Sequence, residues 1–401
     1  MSNRGLSAPR LEHMGMVLSG YVERGEVSGL VALVARDGDV HVEVRGSTTL
    51  GGSRPMRRDS IFRVASITKL ATAVAGMILV EESRLRLDDP IDEWVPELAN
   101  RRVLRSLESE LDDTVPARRP ITMRDLLTMR LGFGSVMAMP DTYPIQRYIR
   151  EYRLGGDGPK LPTQLASSDD WIRSFGSLPL IAQPGERWMY NFGSEVLGIL
   201  VARVSGRSLG SFMRERIFDP LGMKDTSFRL PAEKADRLPA FYRFDHDAGS
   251  LVFMDDPVHS DWLAEGTLES GAGGLLSTID DWFAFSRMLL NKGRLGSERI
   301  LSRATVELMT TDQLTPEQRT GAEIFFEDYR SWGLGMAVET ARRHVYTAPG
   351  RFGWDGGFGT TAWVDPAERL IGMLFLQRAA DSPGPAGWYT DFWTEAYAAM
   401  E

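Results

Sequence analysis

Cysteine is absent from this chain of 401 residues. Its absence excludes disulfide bonds, thiolate metal sites and cysteine nucleophiles, so a metal centre would have to rest on histidine and carboxylate side chains. Histidine is scarce as well, with five in the whole chain. No motif for a metal ion or an organic cofactor is found, and we expect neither.

Long hydrophobic runs are also missing. No window approaches the roughly 18 apolar residues of a membrane-spanning helix, and residues 1–27 lack the continuous apolar segment of a secretory signal. The formal net charge is −9, and the basic residues form no stripe that could neutralise nucleic-acid phosphates. We therefore expect a cytoplasmic protein with no nucleic-acid partner and no membrane span. Composition leaves the oligomeric state open.

The apolar residues that are present, 43% of the chain, suffice for a large core. Alternating valines near the amino terminus predict a β-hairpin, and strand-like runs return on both sides of Asp365. The pattern between them is mostly helical. We predict one domain over residues 1–401, with an α/β lobe from about 1–84 and 245–401 and a helical lobe over about 85–244.

Residues 206–210, Gly-Arg-Ser-Leu-Gly, fit the G-x-S-x-G pattern that presents the nucleophile of α/β-hydrolases. That arrangement needs a strand before the serine, but the apolar residues over 196–204 repeat at i, i+4 and i+8, which is typical of a helix. Gly206 suits the end of that helix, and Ser208 suits the N-cap of the next one. We therefore expect Ser208 to be a helix cap.

Ser66 and Lys69 form a stronger candidate. Their i, i+3 spacing places both side chains on one face of a helix, so a hydroxyl can meet an amine. The residues after Lys69 are apolar on every helical face, and burial there would lower the pKa of the amine until it can accept a proton from serine. The alternative is a lysine that reaches solvent along its stem.

Segments along nearly the whole chain resemble, in the same order, the serine β-lactamase and penicillin-binding-protein superfamily. The likeness is greatest to the class C β-lactamase-like carboxylesterases, also called family VIII esterases. The segments are IFRVASITKLATA, LDDPIDEWVPEL, RPITMRDLLTMRLGFG, PGERWMYNFGSEVLGILVARVSGRSLGSFMRERIFDPLGM, ESGAGGLLSTIDDWFAFSRMLLNKG, GWDGGFGTTAWVDP and DFWTEAYAAM.

This resemblance implies an α/β (α+β) fold of the β-lactamase/transpeptidase type, with an antiparallel sheet flanked by helices and an inserted helical lobe. It also implies that Ser66 is the acylated nucleophile, that Lys69 activates it and that Tyr190 shuttles the proton. The N–H groups of Ser66 and Gly357 would form the oxyanion hole. From the residues alone, Tyr190 would be read as a packed aromatic.

The chain departs from the β-lactamase pattern at two motifs. Phe192 replaces the asparagine that ends the second motif, and Asn191, one residue early, is expected to point elsewhere. Trp354, Asp355 and Gly356 replace the Lys-Thr-Gly of the third motif. Loss of that lysine removes a cation that would bind the carboxylate of a penicillin or a peptide.

We therefore expect the substrate to be a small neutral molecule. Its predicted contacts are Phe192, Trp354, Asp355, Gly356 and Arg351, of which the arginine would restore some affinity for an anionic group. From the residues alone, the GWDGGFG segment would be a glycine-rich turn before a strand.

Together these features predict a serine carboxylesterase that cleaves short-chain or small neutral acyl esters through an acyl-enzyme on Ser66. Two alternatives stay open. One is a β-lactamase or D,D-peptidase that acts on β-lactams or peptidoglycan-like amides, and the other is a non-catalytic binding protein of the penicillin-recognition type. The physiological ester and the protonation states of Lys69 and Tyr190 are not determined by the sequence.

Overall fold

The computed structural model describes residues 5–156, 160–265, 267–382, 384 and 386–401. The strands are β1 Gly29–Arg36, β2 Asp39–Gly46, β3 Phe62–Arg63, β4 Arg102–Leu104, β5 Thr114–Pro116, β6 Phe241–Asp245, β7 Ser250–Asp255, β8 Leu276–Ser277, β9 Arg294–Leu295, β10 Glu298–Arg299, β11 Arg330–Trp332, β12 Ala337–Glu339, β13 Phe352–Gly356, β14 Thr360–Asp365 and β15 Leu370–Leu376. The helices are α1 Ala8–Glu23, α2 Thr68–Glu81, α3 Met123–Leu127, α4 Pro144–Glu151, α5 Ser168–Ser177, α6 Phe192–Ser205, α7 Leu209–Met213, α8 Asp219–Leu221, α9 Ile279–Leu290, α10 Arg303–Met309, α11 Glu323–Phe326 and α12 Gly387–Ala398.

The main sheet joins the two ends of the chain. Within the described residues it has seven strands in the order β11-β12-β13-β14-β15-β1-β2, and every neighbouring pair is antiparallel. The strands β1, β14 and β15 are buried along their whole length, because helices cover both faces of the sheet. The expected antiparallel sheet flanked by helices is confirmed.

The two faces of the sheet carry different helices. Gly372 of β15 faces α12, since a Cβ atom there would lie 2.4 Å from the ring of Trp393. The next residue, Met373, faces α9, where its sulfur lies 3.9 Å from the hydroxyl of Ser286. Helix α1 packs on α12, so both chain ends lie on one face. Consecutive residues of a strand point to opposite faces, so only alternate residues of β13 point toward the candidate site.

Helix α2 lies in the core, as its all-round apolar sequence predicts. Every residue over 68–79 is buried. It packs on α6, and Gly76 allows the close approach, because a Cβ atom there would lie 2.7 Å from the terminal methyl of Met123 and 3.1 Å from Leu197. The buried helix therefore holds its first turn rigidly against the rest of the molecule.

The G-x-S-x-G segment connects two helices. Helix α6 ends at Gly206, which takes the left-handed conformation at φ 70°. Ser208 is the N-cap of α7, and its hydroxyl accepts a hydrogen bond from the backbone N–H of Ser211 at 3.2 Å. The predicted helix end and cap are confirmed, and no strand precedes Ser208 in this described stretch.

A search of the described residues for membrane spans finds no single helix that is long and apolar enough to cross a bilayer. One pair, α6 with residues 209–221, passes by length and composition together but is bent by 76°.

Candidate active site

Ser66 lies in a 3₁₀ turn, Ala65–Ile67, that leads directly into α2. The turn is pinned to the end of β13 and the start of β14. The carbonyl of Val64 accepts a hydrogen bond from the hydroxyl of Thr360 at 2.7 Å, and Ala65 takes φ 48°. Gly356 must be a glycine here, because a Cβ atom would lie 2.5 Å from the Val64 carbonyl. Ser66 is thereby held half-buried at the amino end of a core helix.

Lys69 is fully buried, and its Nζ lies among three oxygen atoms. These are the hydroxyl of Ser66 at 3.2 Å, the amide oxygen of Asn191 at 3.0 Å and the carbonyl of Ala272 at 2.5 Å. Nζ also lies 4.5 Å from the centre of the Tyr190 ring. The contacts fix the amine beside the serine hydroxyl, at hydrogen-bond distance.

Burial lowers the pKa of Lys69 to about 7, and the nearby carboxylate of Glu195 acts in the opposite direction. An ammonium without water is costly, so the neutral amine is populated near neutral pH. A neutral amine has a lone pair that can accept the Ser66 proton. The expected burial of Lys69 and the consequent fall of its pKa both hold.

Tyr190 lies two residues before the start of α6, and its side chain extends to the Ser66–Lys69 pair. Its phenolic oxygen accepts a hydrogen bond from the indole N–H of Trp354 at 2.7 Å. Burial raises the pKa of Tyr190 to about 12, although hydrogen bonds with Ser66 and Trp354 act to lower it. The phenol is therefore neutral at pH 7, and its proton is not held by Trp354, because the indole N–H can only donate.

The two residues that follow Tyr190 both differ from the prediction: one reaches the site unexpectedly, and the other does not reach it. Asn191 was expected to point elsewhere, and this is wrong, because its amide oxygen accepts from Lys69. It precedes α6 with φ 85°, so helical spacing does not apply to it. Phe192 was expected to contact the substrate, but its ring is fully buried. It packs 4.7 Å from Phe133 and 5.4 Å from Phe175, ring centre to ring centre, and has no exposed surface.

Two further predicted substrate contacts lie on the other face of the sheet. Asp355 alternates with Trp354 along β13, and its carboxylate accepts hydrogen bonds from Thr361 at 2.6 Å and from Trp363 at 2.9 Å. Arg351 is 1% exposed and is paired with Glu339 at 2.7 Å. The expected contact of Asp355 with the substrate and the expected affinity of Arg351 for an anionic group are therefore both corrected.

The third motif nevertheless borders the site through its other two residues. Trp354 contacts Tyr190, and Gly356 packs against the turn that carries Ser66. Gly357 begins the turn between β13 and β14, and its carbonyl accepts from the backbone N–H of Ala380 at 2.9 Å. The role of its N–H group in an oxyanion hole stays a prediction.

Three neighbours of the site were missed by sequence reasoning. Glu195 is an acidic residue in the first turn of the mostly apolar helix α6, which is a signal that could have been followed. Phe325 packs on Tyr190 with ring centres 4.9 Å apart, and Ala272 contributes only its carbonyl. Neither of these two has a sequence signal, because any residue carries a carbonyl and most aromatic residues are packed.

The described residues contain no group of three or more histidine, aspartate and glutamate side chains that could hold a metal ion. The functional groups at the site are the hydroxyl, amine, phenol and amide described above, and the carboxylate of Glu195 lies behind them.

Known proteins resemble this chain over nearly its full length. The family profile described as Beta-lactamase matches residues 17–392. Protein Rv1367c of Mycobacterium tuberculosis (strain ATCC 25618 / H37Rv) is 36% identical over 369 residues, which cover 90% of this chain and 88% of that protein. Lovastatin esterase of Penicillium rubens (strain ATCC 28089 / DSM 1075 / NRRL 1951 / Wisconsin 54-1255) is 30% identical over 380 residues, or 89% of this chain and 90% of the esterase.

The fold agrees with these sequence matches. The unliganded structure of simvastatin synthase (LovD) from Aspergillus terreus superposes with a TM-score of 0.80 at 24% identity, covering 98% of this chain and 99% of that one. The resemblance inferred from the ordered segments is confirmed: the chain belongs to the Beta-lactamase family.

Proposed function

We propose that this protein is a serine carboxylesterase that cleaves short-chain or small neutral acyl esters through an acyl-enzyme on Ser66. The observation that carries the proposal is the 3.2 Å contact between the Ser66 hydroxyl and the Nζ of a fully buried Lys69. Similarity to a lovastatin esterase, at 30% identity over most of both chains, supports ester cleavage.

Acylation begins when neutral Lys69 accepts the proton of Ser66. The serine oxygen then bonds to the ester carbonyl carbon, and the carbonyl oxygen takes the negative charge, stabilised by the N–H groups of Ser66 and Gly357. Tyr190 donates its proton to the ester's alkoxy oxygen as the C–O bond breaks and an alcohol leaves. The proton held by Lys69 restores the phenol. With pKa values of about 7 and about 12, the amine is the base and the phenol is the acid.

Deacylation uses the same groups with water in place of the alcohol. Water gives one proton to the base and bonds to the acyl carbon, and the C–O bond to Ser66 breaks as that oxygen regains a proton. The sum of both halves is ester plus water giving carboxylic acid plus alcohol, with no net change in the protein.

The wall of the site supports a preference for neutral substrates. Trp354 stands where the β-lactamase motif has a lysine, and its indole is already committed to Tyr190. Phe325 stacks beside it, with ring centres 6.4 Å apart. Strand β13 contains no cationic residue, and Arg351, directly before it, is paired with Glu339.

A fluorophosphonate probe followed by peptide mass mapping tests the nucleophile. We expect the label on Ser66, and Ser66→Ala should lower kcat on a short-chain p-nitrophenyl ester by at least ~10³-fold. Ser208→Ala is the matched control and should keep both the label and the activity. Label on Ser208, or full turnover by Ser66→Ala, would contradict the proposal.

The β-lactamase alternative is tested on the same protein. The ratio of kcat/KM for a neutral ester to that for a chromogenic cephalosporin should favour the ester, since the site lacks a cation for the cephalosporin carboxylate. A strong preference for the cephalosporin would overturn the assignment of the substrate. A stable acyl adduct without product release would instead identify a non-catalytic binding protein.

A further inference from the structure

Glu195 is a buried carboxylate that the acylation steps above do not use. It lies on α6, is 4% exposed and accepts a hydrogen bond from the hydroxyl of Ser270 at 2.6 Å. Hydrogen bonds from the backbone N–H groups of Gly271 and Ala272 also act on this carboxylate. A buried charge is retained in a core only at a cost, so its position calls for a physical role.

The segment 270–272 connects Glu195 to Lys69. Ser270 donates to Glu195 at one end, and the carbonyl of Ala272 accepts from Lys69 at the other. Between them the carbonyl of Gly271 accepts from the hydroxyl of Thr72 at 2.8 Å. A Cβ atom on Gly271 would lie 2.5 Å from the carbonyl of Ser194, so the segment is wedged between α2 and α6. Any shift at Ser270 would move the oxygen that holds Lys69.

Among the groups around Lys69, Glu195 is the carboxylate that acts on the amine. Ser66 faces the amine from the 3₁₀ turn, and Tyr190 and Asn191 face it from the start of α6. Asp355 lies across the sheet and acts on Tyr190 rather than on Lys69. The attraction between Glu195 and Lys69 raises the pKa of the lysine and lowers that of the carboxylate, each against the effect of burial.

We propose that Glu195 is a positioning residue for the Ser66–Lys69 pair: through Ser270 it anchors the segment 270–272, whose Ala272 carbonyl holds the amine, and its carboxylate stabilises the ammonium form of Lys69. This inference rests on the proposed function, in which neutral Lys69 takes the serine proton. Glu195 does not touch the substrate and acts through Lys69 alone.

Glu195→Gln tests the charge, because glutamine can still accept from Ser270. In the wild-type protein, kcat/KM on a neutral ester should rise with pH through about 7 as Lys69 loses its proton. Removing the carboxylate removes an effect that favours the ammonium. The midpoint of this rise should therefore move measurably to lower pH.

Glu97→Gln is the matched control for the charge. It removes a carboxylate that also pairs with α6, through Arg203 at 2.7 Å, but that does not contact the Ser66–Lys69 pair. Its pH profile should equal that of the wild type. Circular dichroism spectra and thermal unfolding of both variants show that the fold is retained.

Ser270→Ala tests the anchor with the carboxylate left in place. It should lower kcat about tenfold, with little change in KM, because the Ala272 carbonyl loses its fixed position and Lys69 follows it. An unchanged midpoint in Glu195→Gln, or an unchanged kcat in Ser270→Ala, overturns the inference. Failure of the fluorophosphonate to label Ser66 in the wild type would overturn the proposed function itself, so the two failures are distinguishable.

Discussion

Two titratable residues beside Ser66 are both buried, and this burial shifts their pKa values in opposite directions. Burial disfavours an ammonium and so lowers the pKa of Lys69, whereas burial disfavours a phenolate and so raises the pKa of Tyr190. The same physical effect therefore separates the two pKa values and prepares a base and an acid at neutral pH. The sequence indicates the burial of Lys69 but not that of the Tyr190 hydroxyl, which is why it left these protonation states open.

Trp354 should matter through its N–H group rather than its bulk. Trp354→Phe keeps an aromatic ring but removes the 2.7 Å hydrogen bond to Tyr190, so the phenol loses the donor that orients it. We expect kcat on a neutral ester to fall about tenfold with a small change in KM. Steady-state kinetics at several pH values measure both constants.

Trp363→Phe is the control for this substitution. Trp363 lies on the next strand and donates to Asp355 at 2.9 Å, on the sheet face away from the site. It should lower thermal stability and leave kcat unchanged. Equal losses of kcat in the two variants would show that the tryptophans act only through packing.

At the scale of single elements, the start of α6 decides which side chains reach Lys69. The chain enters the helix through Asn191 at φ 85°, and this one conformation turns the Asn191 amide toward Lys69 and Phe192 into the core. Sequence reasoning assumed helical spacing through the whole motif and so assigned both residues wrongly. A positive φ at a non-glycine residue follows from tertiary contacts, and no pattern of apolar residues reports it.

Ser208→Ala should affect the element and not the chemistry. Loss of the hydroxyl removes the cap on the Ser211 N–H, so we expect a free energy of unfolding lower by about 1 kcal/mol and unchanged kcat/KM. Chemical denaturation gives the first quantity and ester hydrolysis the second. A large loss of activity without a loss of stability would return Ser208 to consideration as a nucleophile.

At the scale of the whole molecule, the last helix supports the site from behind. Tyr389 of α12 is buried, and its hydroxyl lies 3.0 Å from the carbonyls of both Gly356 and Thr360. These residues flank the β13–β14 turn that contains Gly357. A residue near the carboxyl terminus therefore fixes the backbone beside a nucleophile near the amino terminus, because the sheet joins both ends of the chain.

Tyr389→Phe tests this support. It removes one hydroxyl proton shared by two buried carbonyls, of which that of Gly356 also accepts from the N–H of Gly359 at 3.0 Å, so the free energy of unfolding should fall by about 1 kcal/mol. We also expect kcat to fall several-fold as the turn loosens, since stabilisation of an oxyanion requires donors that are already in place. Unfolding experiments and ester hydrolysis measure the two effects.

Tyr397→Phe is the matched control on the same helix. The Tyr397 hydroxyl donates to Asp365 at 2.7 Å, at the far end of β14. Its loss should lower stability by a similar amount and leave kcat unchanged. If both variants lost kcat equally, the effect of Tyr389 would come from general destabilisation.

The sequence by itself determined the fold class, the family, the Ser66–Lys69 pairing and the capping role of Ser208. The fold class and the family follow from the resemblance of the ordered segments, whereas the Ser66–Lys69 pairing and the Ser208 cap follow from local spacing and apolar patterning. It also indicated that Lys69 is buried, because the residues around it are apolar on all sides of one helix.

Only the tertiary structure decided what surrounds that pair. It showed that Asn191 and the Ala272 carbonyl hold Lys69, that Trp354 donates to Tyr190, and that Arg351 and Asp355 face away from the site. These contacts join residues that are distant in the chain or depend on which face of a strand a residue occupies. Packing of the whole chain sets both, and a local pattern contains neither.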